Sequence, residues 1–221
     1  MNIKKSFVFL HILLLTSKLA SEKPTYPNVI CRENRTTVQV VKQVQPKVYA
    51  EFGISIGCTA LEVAKILPKS SQIYLFDFHD KVENVKNKLN NAGFTNVHIY
   101  GNSYKLRDSY NWSLMELLEK HKEPIFDYVF LDGMHTWETD ALAFLLIDKL
   151  LKPGGYIDFD DYNWNLATSP TLAPKVFPLT KELYTDEQIK VRSVGKILDL
   201  LVRRDTRYQE VVKNKVFRKI K

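Results

Sequence analysis

Cysteine is scarce in this chain, with only Cys31 and Cys58 among 221 residues. Two cysteines cannot make a disulfide framework, and their spacing offers no zinc site. Cys58 follows a glycine loop and opens a helix, where a small buried residue is the ordinary expectation. Cys31 is either free or paired, and the sequence does not distinguish the two. Long apolar runs are also missing. The N-terminal stretch Phe7 to Leu15, broken by His11, is too short for a comfortable membrane span. No cluster of Arg and Lys is interleaved with aromatics, so a nucleic-acid partner is not expected. There is no internal repeat and no low-complexity segment, and no pattern that encodes an oligomeric state.

What is present suits one domain with a full core: 221 residues, 45% apolar and 26% charged. The net charge of +7 falls partly on the C-terminal Lys213, Lys215, Arg218, Lys219 and Lys221. That end reads as a solvated face in preference to a phosphate or anionic-membrane site. At the other end, Lys4 and Lys5 precede the short apolar run, and Ser17 to Ser21 follow it. This is the layout of a secretory signal, although Lys18 stands where cleavage after Ala20 prefers a small residue. The expected organisation is a signal peptide or membrane anchor at 1–21, a linker and N-terminal cap at 22–46, and the main domain at 47–221. The corresponding location is the secretory pathway or a membrane surface; the alternative is a cytoplasmic protein with its N-terminal helix packed on the domain. Two sequons, Asn34-Arg35-Thr36 and Asn111-Trp112-Ser113, matter only in a eukaryotic secretory route.

From Val48 onward strands alternate with helices. Strands are expected at Val48 to Phe52, Ile73 to Phe78, Val97 to Tyr100, Phe126 to Leu131 and Tyr156 to Phe159. The helices between them are read at Thr59 to Leu67, Val82 to Ala92, Leu114 to His121 and Glu138 to Leu151. The last of these carries Leu142, Leu145, Leu146 and Leu150 on one stripe. Pro153-Gly154-Gly155 reads as a turn. In the tail, Leu183 to Leu201 looks helical, and Tyr208 to Val212 pairs with Lys215 to Ile220. This alternation gives an α/β domain with a doubly wound, mostly parallel sheet, whose ligand lies beyond the carboxyl ends of the strands.

Five strand ends therefore carry the candidate site. At the first, Gly53 and Gly57 flank a tight turn above Glu51, where glycine lets backbone approach a ligand. At the second, Asp77 can accept two hydrogen bonds from a ribose. At the third, Asn102 and Ser103 offer an amide and a hydroxyl to an adenine edge, or simply make a turn. Asp132 ends the fourth strand, and Asp160 and Asp161 end the fifth. Three carboxylates on one rim repel each other unless a cation sits among them, and oxygen ligands suit magnesium, manganese or calcium. His135, three residues beyond Asp132, faces the same rim as a candidate general base.

Glu51-Phe52-Gly53-x-x-x-Gly57, Asp77, Gly101-Asn102-Ser103, Phe126 to Asp132 and Leu151-Lys152-Pro153-Gly154-Gly155 together resemble the ordered motifs of class I S-adenosylmethionine-dependent methyltransferases. The resemblance spans Lys47 to Trp164. With Asp132-Gly133-Met134-His135 and Asp160-Asp161-Tyr162, it narrows to the metal-dependent macrocin and mycinamicin sugar O-methyltransferases, and more distantly to catechol O-methyltransferases. It implies a Rossmann-like seven-stranded sheet, with Glu51, Gly53 and Gly57 at the methionine end of the cofactor. It further implies Asp77 at the ribose, Asn102 and Ser103 at the adenine, and Mg2+ or another divalent cation on Asp132, Asp160 and Asp161. Asp132 would touch the cofactor as well, and His135 takes the position of the catalytic histidine. Asn102 departs from the acid found in many relatives, and the leader is one that these cytosolic relatives generally lack.

Three rival readings are weaker. Gly53-Ile54-Ser55-Ile56-Gly57 fits the serine elbow of α/β-hydrolases, but it follows the first strand, and no histidine comes after His135 to complete a triad. A nicotinamide enzyme lacks its Gly-x-Gly-x-x-Gly loop. A secreted, non-catalytic binding domain is the third. The acceptor implied is a small-molecule or glycan hydroxyl: a sugar or other diol, a catechol-like phenol or a lipid-linked glycan. Trp137, Tyr162 and Trp164 are candidates to stack on it, or packing residues. The segments that would form a lid over it, Asn28 to Pro46 and Trp164 to Thr185, show no informative pattern.

Overall fold

The computed structural model describes residues 31–105 and 107–221, so the expected leader at 1–21 and residues 22–30 of the expected linker and cap lie outside them. Helix α1 (Arg35–Val44) is followed by β1 (Val48–Phe52), α2 (Cys58–Ile66), β2 (Gln72–Phe78) and α3 (His79–Asn91). Then come β3 (Val97–Asn102), α4 (Tyr110–Lys120), β4 (Phe126–Leu131), α5 (Trp137–Leu150) and β5 (Leu151–Phe159). Three short helices, α6 (Thr180–Leu183), α7 (Asp186–Lys190) and α8 (Ser193–Ile197), lead to β6 (Tyr208–Val212) and β7 (Val216–Lys219). The strands form one seven-stranded sheet in the order β3-β2-β1-β4-β5-β7-β6. The pairs among β1 to β5 are parallel, and β7 runs antiparallel to both its neighbours. The strand order reverses between β1 and β4, which is where such a sheet opens a ligand crevice.

The central strands are apolar on both faces because helices cover both. On one side Phe52, Phe76, Leu114, Phe144, Ile147 and Phe217 pack between the sheet and α4, α5 and α8. On the other, Val41, Tyr49, Val63, Leu75, Val85 and Phe130 pack beneath α1, α2 and α3.

Several local expectations are corrected. Of the leucine stripe, Leu150 is buried and Leu146 packs partly buried against the core, but Leu142 and Leu145 are 45% and 52% exposed. The rest of the core side of α5 is carried by Ala141, Phe144 and Ile147. Pro153-Gly154-Gly155 is no turn: it lies inside β5, at a register shift where Phe126 pairs with Leu151 but Tyr128 with Tyr156. A bulge is where a strand tolerates a proline without an N–H to donate. The tail helix read at Leu183 to Leu201 is broken twice. Tyr184 is extended, Thr185 starts a fresh helix through a capping box with Gln188, and Val191 is extended again. The uninformative segment before Pro46 contains α1, capped by Asn34, whose side chain accepts from the Thr37 amide.

The C-terminal lysines are not one solvated face. Lys219 is buried and bonds the carbonyls of Asp148 and Leu151, and its Nζ lies 3.1 Å from the Asp148 carboxylate. Tyr208 and Arg207 reach the same carboxylate, so the β6–β7 hairpin is fastened to the end of α5 by charge as well as by packing.

Candidate active site

The sheet order brings Asn102, Asp77, Glu51, Asp132 and Asp160 to one rim, at the ends of β3, β2, β1, β4 and β5 in that spatial sequence. Three of the five non-glycine residues with positive φ sit on this rim: Ser55 (51°), His135 (58°) and Asp161 (60°). Such backbone is costly for a side-chain-bearing residue, and it clusters where a turn must aim a group at a ligand.

The loop after β1 is held down by Asp77. One carboxylate oxygen accepts from the Ser55 amide at 2.9 Å; the other accepts from the Phe78 amide at 2.7 Å and lies 3.3 Å from Lys81 Nζ. Ser55 is exposed there, and the hydrogen bond that its backbone N–H donates to Asp77 pins the loop. Gly53 has φ +79°, and a Cβ placed on it would overlap the backbone carbonyl of Asp132. This close crossing joins the first and fourth strand ends, and a backbone carbonyl cannot swing aside. Gly53→Ala is expected to cost roughly 2–4 kcal/mol, read from denaturant melts. A variant as stable as the wild type would show that the crossing can relax.

Glu51 is buried under the loop and accepts a hydrogen bond from Tyr49 Oη at 2.7 Å. Burial, opposed by the Tyr49 bond, pushes its carboxyl up to about 8. A raised carboxyl destabilises the fold as pH climbs. Below the ordinary value both folded and unfolded states hold the proton. Between about 4.5 and 8 only the folded state does; above 8 the loss is complete. Glu51→Gln keeps the acceptor and removes the charge. Relative to this variant, the wild type is expected to lose stability at up to about 1.4 kcal/mol per pH unit across that window, a total of a few kcal/mol. Parallel pH–melting curves for the two proteins would contradict this.

Asn102 is buried at the end of β3, and its Oδ1 has no hydrogen-bond partner among the described residues. A buried unpaired acceptor is a place for a ligand donor. Ser103 is not free in the same way: its amide and its hydroxyl both bond Asp108, at 2.7 and 2.5 Å. It makes the turn that follows the strand.

At the fourth and fifth ends, Asp132, His135 and Asp161 each present one ligand atom, all within 4.8 Å of one another. His135 Nε2 lies 3.4 Å from Asp132 Oδ1 and 3.2 Å from Asp161 Oδ2. The two carboxylates suit a hard divalent cation, and the imidazole nitrogen favours a transition metal over magnesium. Asp160, expected to complete a carboxylate triad, stands apart from this cluster. Its Oδ1 accepts from Asn34 Nδ2 at 3.0 Å and from Lys215 Nζ at 3.3 Å. Burial and then the neighbouring carboxylates Asp160 and Asp161 raise Asp132 well above the usual carboxylate range.

Three supporting residues carry no sequence motif. Asp140, buried in the first turn of α5, accepts from the amides of Met134 (3.2 Å) and His135 (2.8 Å) and from Tyr110 Oη. It shapes the loop that presents His135, whose Nδ1 lies 4.0 Å from it. Trp164 packs edge-on against the His135 ring, with centroids 5.1 Å apart. Lys215, just before β7, sits 2.9 Å from the fully buried Asp158 and also reaches Asp160, behind the acidic rim. The only advance signal for Asp140 was an acid in the first turn of a helix. For Lys215 there was none, since it reads as one more C-terminal lysine. The two remaining stacking candidates divide. Tyr162 is held beneath Arg192 and Arg203, whereas Trp137 is exposed at the start of α5.

The first turn of α1 closes over this rim. Asn34 bonds Thr59 Oγ1 and Asp160, and Thr37 donates to Asp158 at 2.7 Å. Cys31 and Cys58 form a disulfide, so the question the sequence left open is answered by pairing across the glycine loop. Both sequon asparagines have their amides committed inward: Asn34 to Asp160, Asn111 to the Thr139 carbonyl.

A family model described as a methyltransferase domain matches residues 50–162, just over half of the chain. The chain belongs to that methyltransferase family. Its sheet order is that of the class I, S-adenosylmethionine-dependent methyltransferase fold. A comparison with curated proteins finds no match. Among solved structures, the methyltransferase resembles an O-methyltransferase from Bacillus cereus in complex with SAH. The identity there is 15%, covering 94% of this chain and 89% of that one, with a TM-score of 0.60. It also resembles an SAH-bound methyltransferase from Podospora anserina, at 14% identity over 99% and 95% of the two chains, TM-score 0.56. A methyltransferase from Geobacter sulfurreducens gives 13% identity over 100% and 98%, TM-score 0.53. At such identities these likenesses carry the fold.

Proposed function

We propose that this methyltransferase transfers a methyl group from S-adenosylmethionine to a hydroxyl of a sugar or other diol-like small molecule or glycan, with a divalent cation assisting. One observation carries the reading: a row of acceptors on adjacent strand ends, Glu51, Asp77 and the unpaired Asn102 Oδ1, leads to the Asp132–His135–Asp161 cluster. The Bacillus cereus relative is itself an O-methyltransferase.

The cofactor fits the first part of the row. Asp77 would hold the ribose, and the buried Asn102 carbonyl would take an adenine amino proton. Glu51 and the Gly53–Gly57 turn would line the methionine end. Bound there, S-adenosylmethionine supplies an activated methyl group. Asp132 and Asp161 would hold a divalent cation, which would supply positive charge that lowers the pKa of the acceptor hydroxyl. The chain's own task is to place the acceptor and move its proton. His135 Nε2 is the group to take it. Asp140 fixes the loop from behind, Trp164 restrains the ring from the side, and the Asp132 and Asp161 oxygens lie next to the proton taken up.

Compartment belongs to the same proposal. A disulfide persists in oxidising surroundings. The Cys31–Cys58 bridge thus supports the secretory reading of the N-terminal segment, with membrane association through that segment. No helix among the described residues is long and apolar enough to cross a membrane.

The test is transfer of labelled methyl from S-adenosylmethionine to a panel of sugars, catechols and glycans, with and without EDTA. Transfer to a vicinal diol that chelation abolishes and Mg2+ or Mn2+ restores is the expected result. Transfer indifferent to EDTA would remove the metal, and transfer confined to amines would remove the O-methyl assignment.

A further inference from the structure

Next to Glu51 and the glycine turn lies a cleft of about 80 Å3, lined by Glu51, Gly53, Ile54, Ser55, Ile56, Cys58, Thr59, Asp132 and Arg32. It is small beside the several hundred Å3 of an ordinary small-molecule pocket, so it takes only one end of an elongated ligand. Its charges are unevenly arranged. Two lining side chains are carboxylic acids, and Arg32 is the one cationic residue among those that line it. The guanidinium forms no ion pair with any acid among the described residues. The nearby cation at the rim, Lys215, is already engaged by Asp158 and Asp160.

Arg32 is exposed, yet its backbone is not at liberty. On one side Cys31 is bonded to Cys58 at the start of α2, with the two Cα atoms 5.6 Å apart. On the other, the Asn34 amide bonds Thr59 Oγ1 at 2.9 Å and its side chain bonds Asp160 at 3.0 Å. The residue is thus bracketed by two anchors that both fall on the wall of the cleft. A zwitterionic amino acid presents groups that this cleft complements: an ammonium as donor to the Glu51 and Asp132 acids, whose ionised forms its charge favours, and a carboxylate for the guanidinium.

We propose that Arg32 is the anchor for the α-carboxylate of the cofactor's amino-acid end, and that the Cys31–Cys58 bridge positions it there. The inference rests on the cofactor reading above. Within it, the stretch Cys31 to Asn34 becomes part of the binding site, and the disulfide tunes cofactor affinity as well as stability.

Two ligands separate the contributions. S-adenosylhomocysteine carries the amino-acid end; 5′-methylthioadenosine has the same nucleoside and a thioether but lacks it. Calorimetric titration of the full chain with each is the experiment. Arg32→Gln is expected to weaken S-adenosylhomocysteine by about five- to tenfold, with 5′-methylthioadenosine changed by less than about twofold. Arg32→Lys should recover part of the loss. The double variant Cys31→Ser/Cys58→Ser should show the same selective weakening, with circular dichroism and melting confirming that it is folded. If that variant fails to fold, Arg32→Gln and Arg32→Lys still decide the anchor. Equal losses for both ligands, or none for either, would overturn the Arg32 assignment. A bridge-free, folded variant that binds both ligands normally would overturn the positioning role. A wild-type protein that binds neither ligand would instead overturn the cofactor reading, and this inference with it.

Discussion

Replacing His135 by alanine is expected to lower methyl-transfer turnover by roughly 10²- to 10⁴-fold while changing S-adenosylhomocysteine affinity by less than about twofold. The separation follows from where the residue sits. The acceptors that would hold the cofactor end on β1, β2 and β3, whereas His135 stands after β4 with its Nε2 turned toward Asp132 and Asp161. Losing the ring removes a proton acceptor without disturbing the Asp77–Ser55 bond or the Gly53 crossing. The loop itself is held by backbone amides on Asp140, so it does not depend on the imidazole. Steady-state rates and calorimetry on the same preparation check both halves. Manganese titration followed by electron paramagnetic resonance distinguishes base from ligand. A variant that loses turnover and still binds Mn2+ fits the base, and one that loses both makes His135 a ligand. Unchanged turnover would remove His135 from the chemistry.

Lys215→Met is expected to destabilise the fold by about 3–5 kcal/mol, a fall in Tm of roughly 10 °C. Asp158 is fully buried near the carboxyl end of β5 and is held by Thr37, by Tyr128 Oη and by Lys215 Nζ at 2.9 Å. Burial raises its carboxyl above the ordinary value, and Lys215 is the largest influence working the other way. Without the ammonium, a buried carboxylate keeps two hydroxyl donors and loses its one ion-pair partner among the described residues, and Asp160 loses one of its donors too. Breaking such a pair costs far more than never having built it. The double variant Lys215→Met/Asp158→Asn should therefore regain most of the loss, because the remaining amide can still accept from Thr37 and Tyr128. Two losses that simply add in the double variant would show that the pair is not coupled.

Much of this architecture is written locally. Apolar runs of strand length, such as Phe126 to Leu131, alternate with helical segments, and that pattern alone demands a parallel sheet covered on both faces. Gly53, Asp77, Asn102, Asp132 and His135 were legible because a strand end is marked by where its apolar run stops, and the ligand rim lies at those ends. The leucine stripe of α5 misled for a related reason. Periodicity reports that a helix has two faces, but the neighbours decide which is buried, and here Ala141 and Phe144 meet the sheet while Leu142 and Leu145 meet water.

The acidic rim shows the division most clearly. Its inventory of carboxylates came from the sequence, and the pairing of each came from contacts between residues far apart along the chain. Asp160 meets Asn34 and Lys215, at separations of 126 and 55 residues. The result is that His135, not Asp160, joins Asp132 and Asp161. Cys31 likewise finds Cys58 only because α1 folds back over the glycine loop. From its sequence alone this protein resembles a methyltransferase with a glycine loop and an acidic rim, since those features recur at the spacing of strands and helices. The membership of the rim cluster, the bracing of Arg32 and the buried Asp158–Lys215 pair were decided by tertiary structure, because charge interactions act across space and carry no period along the chain.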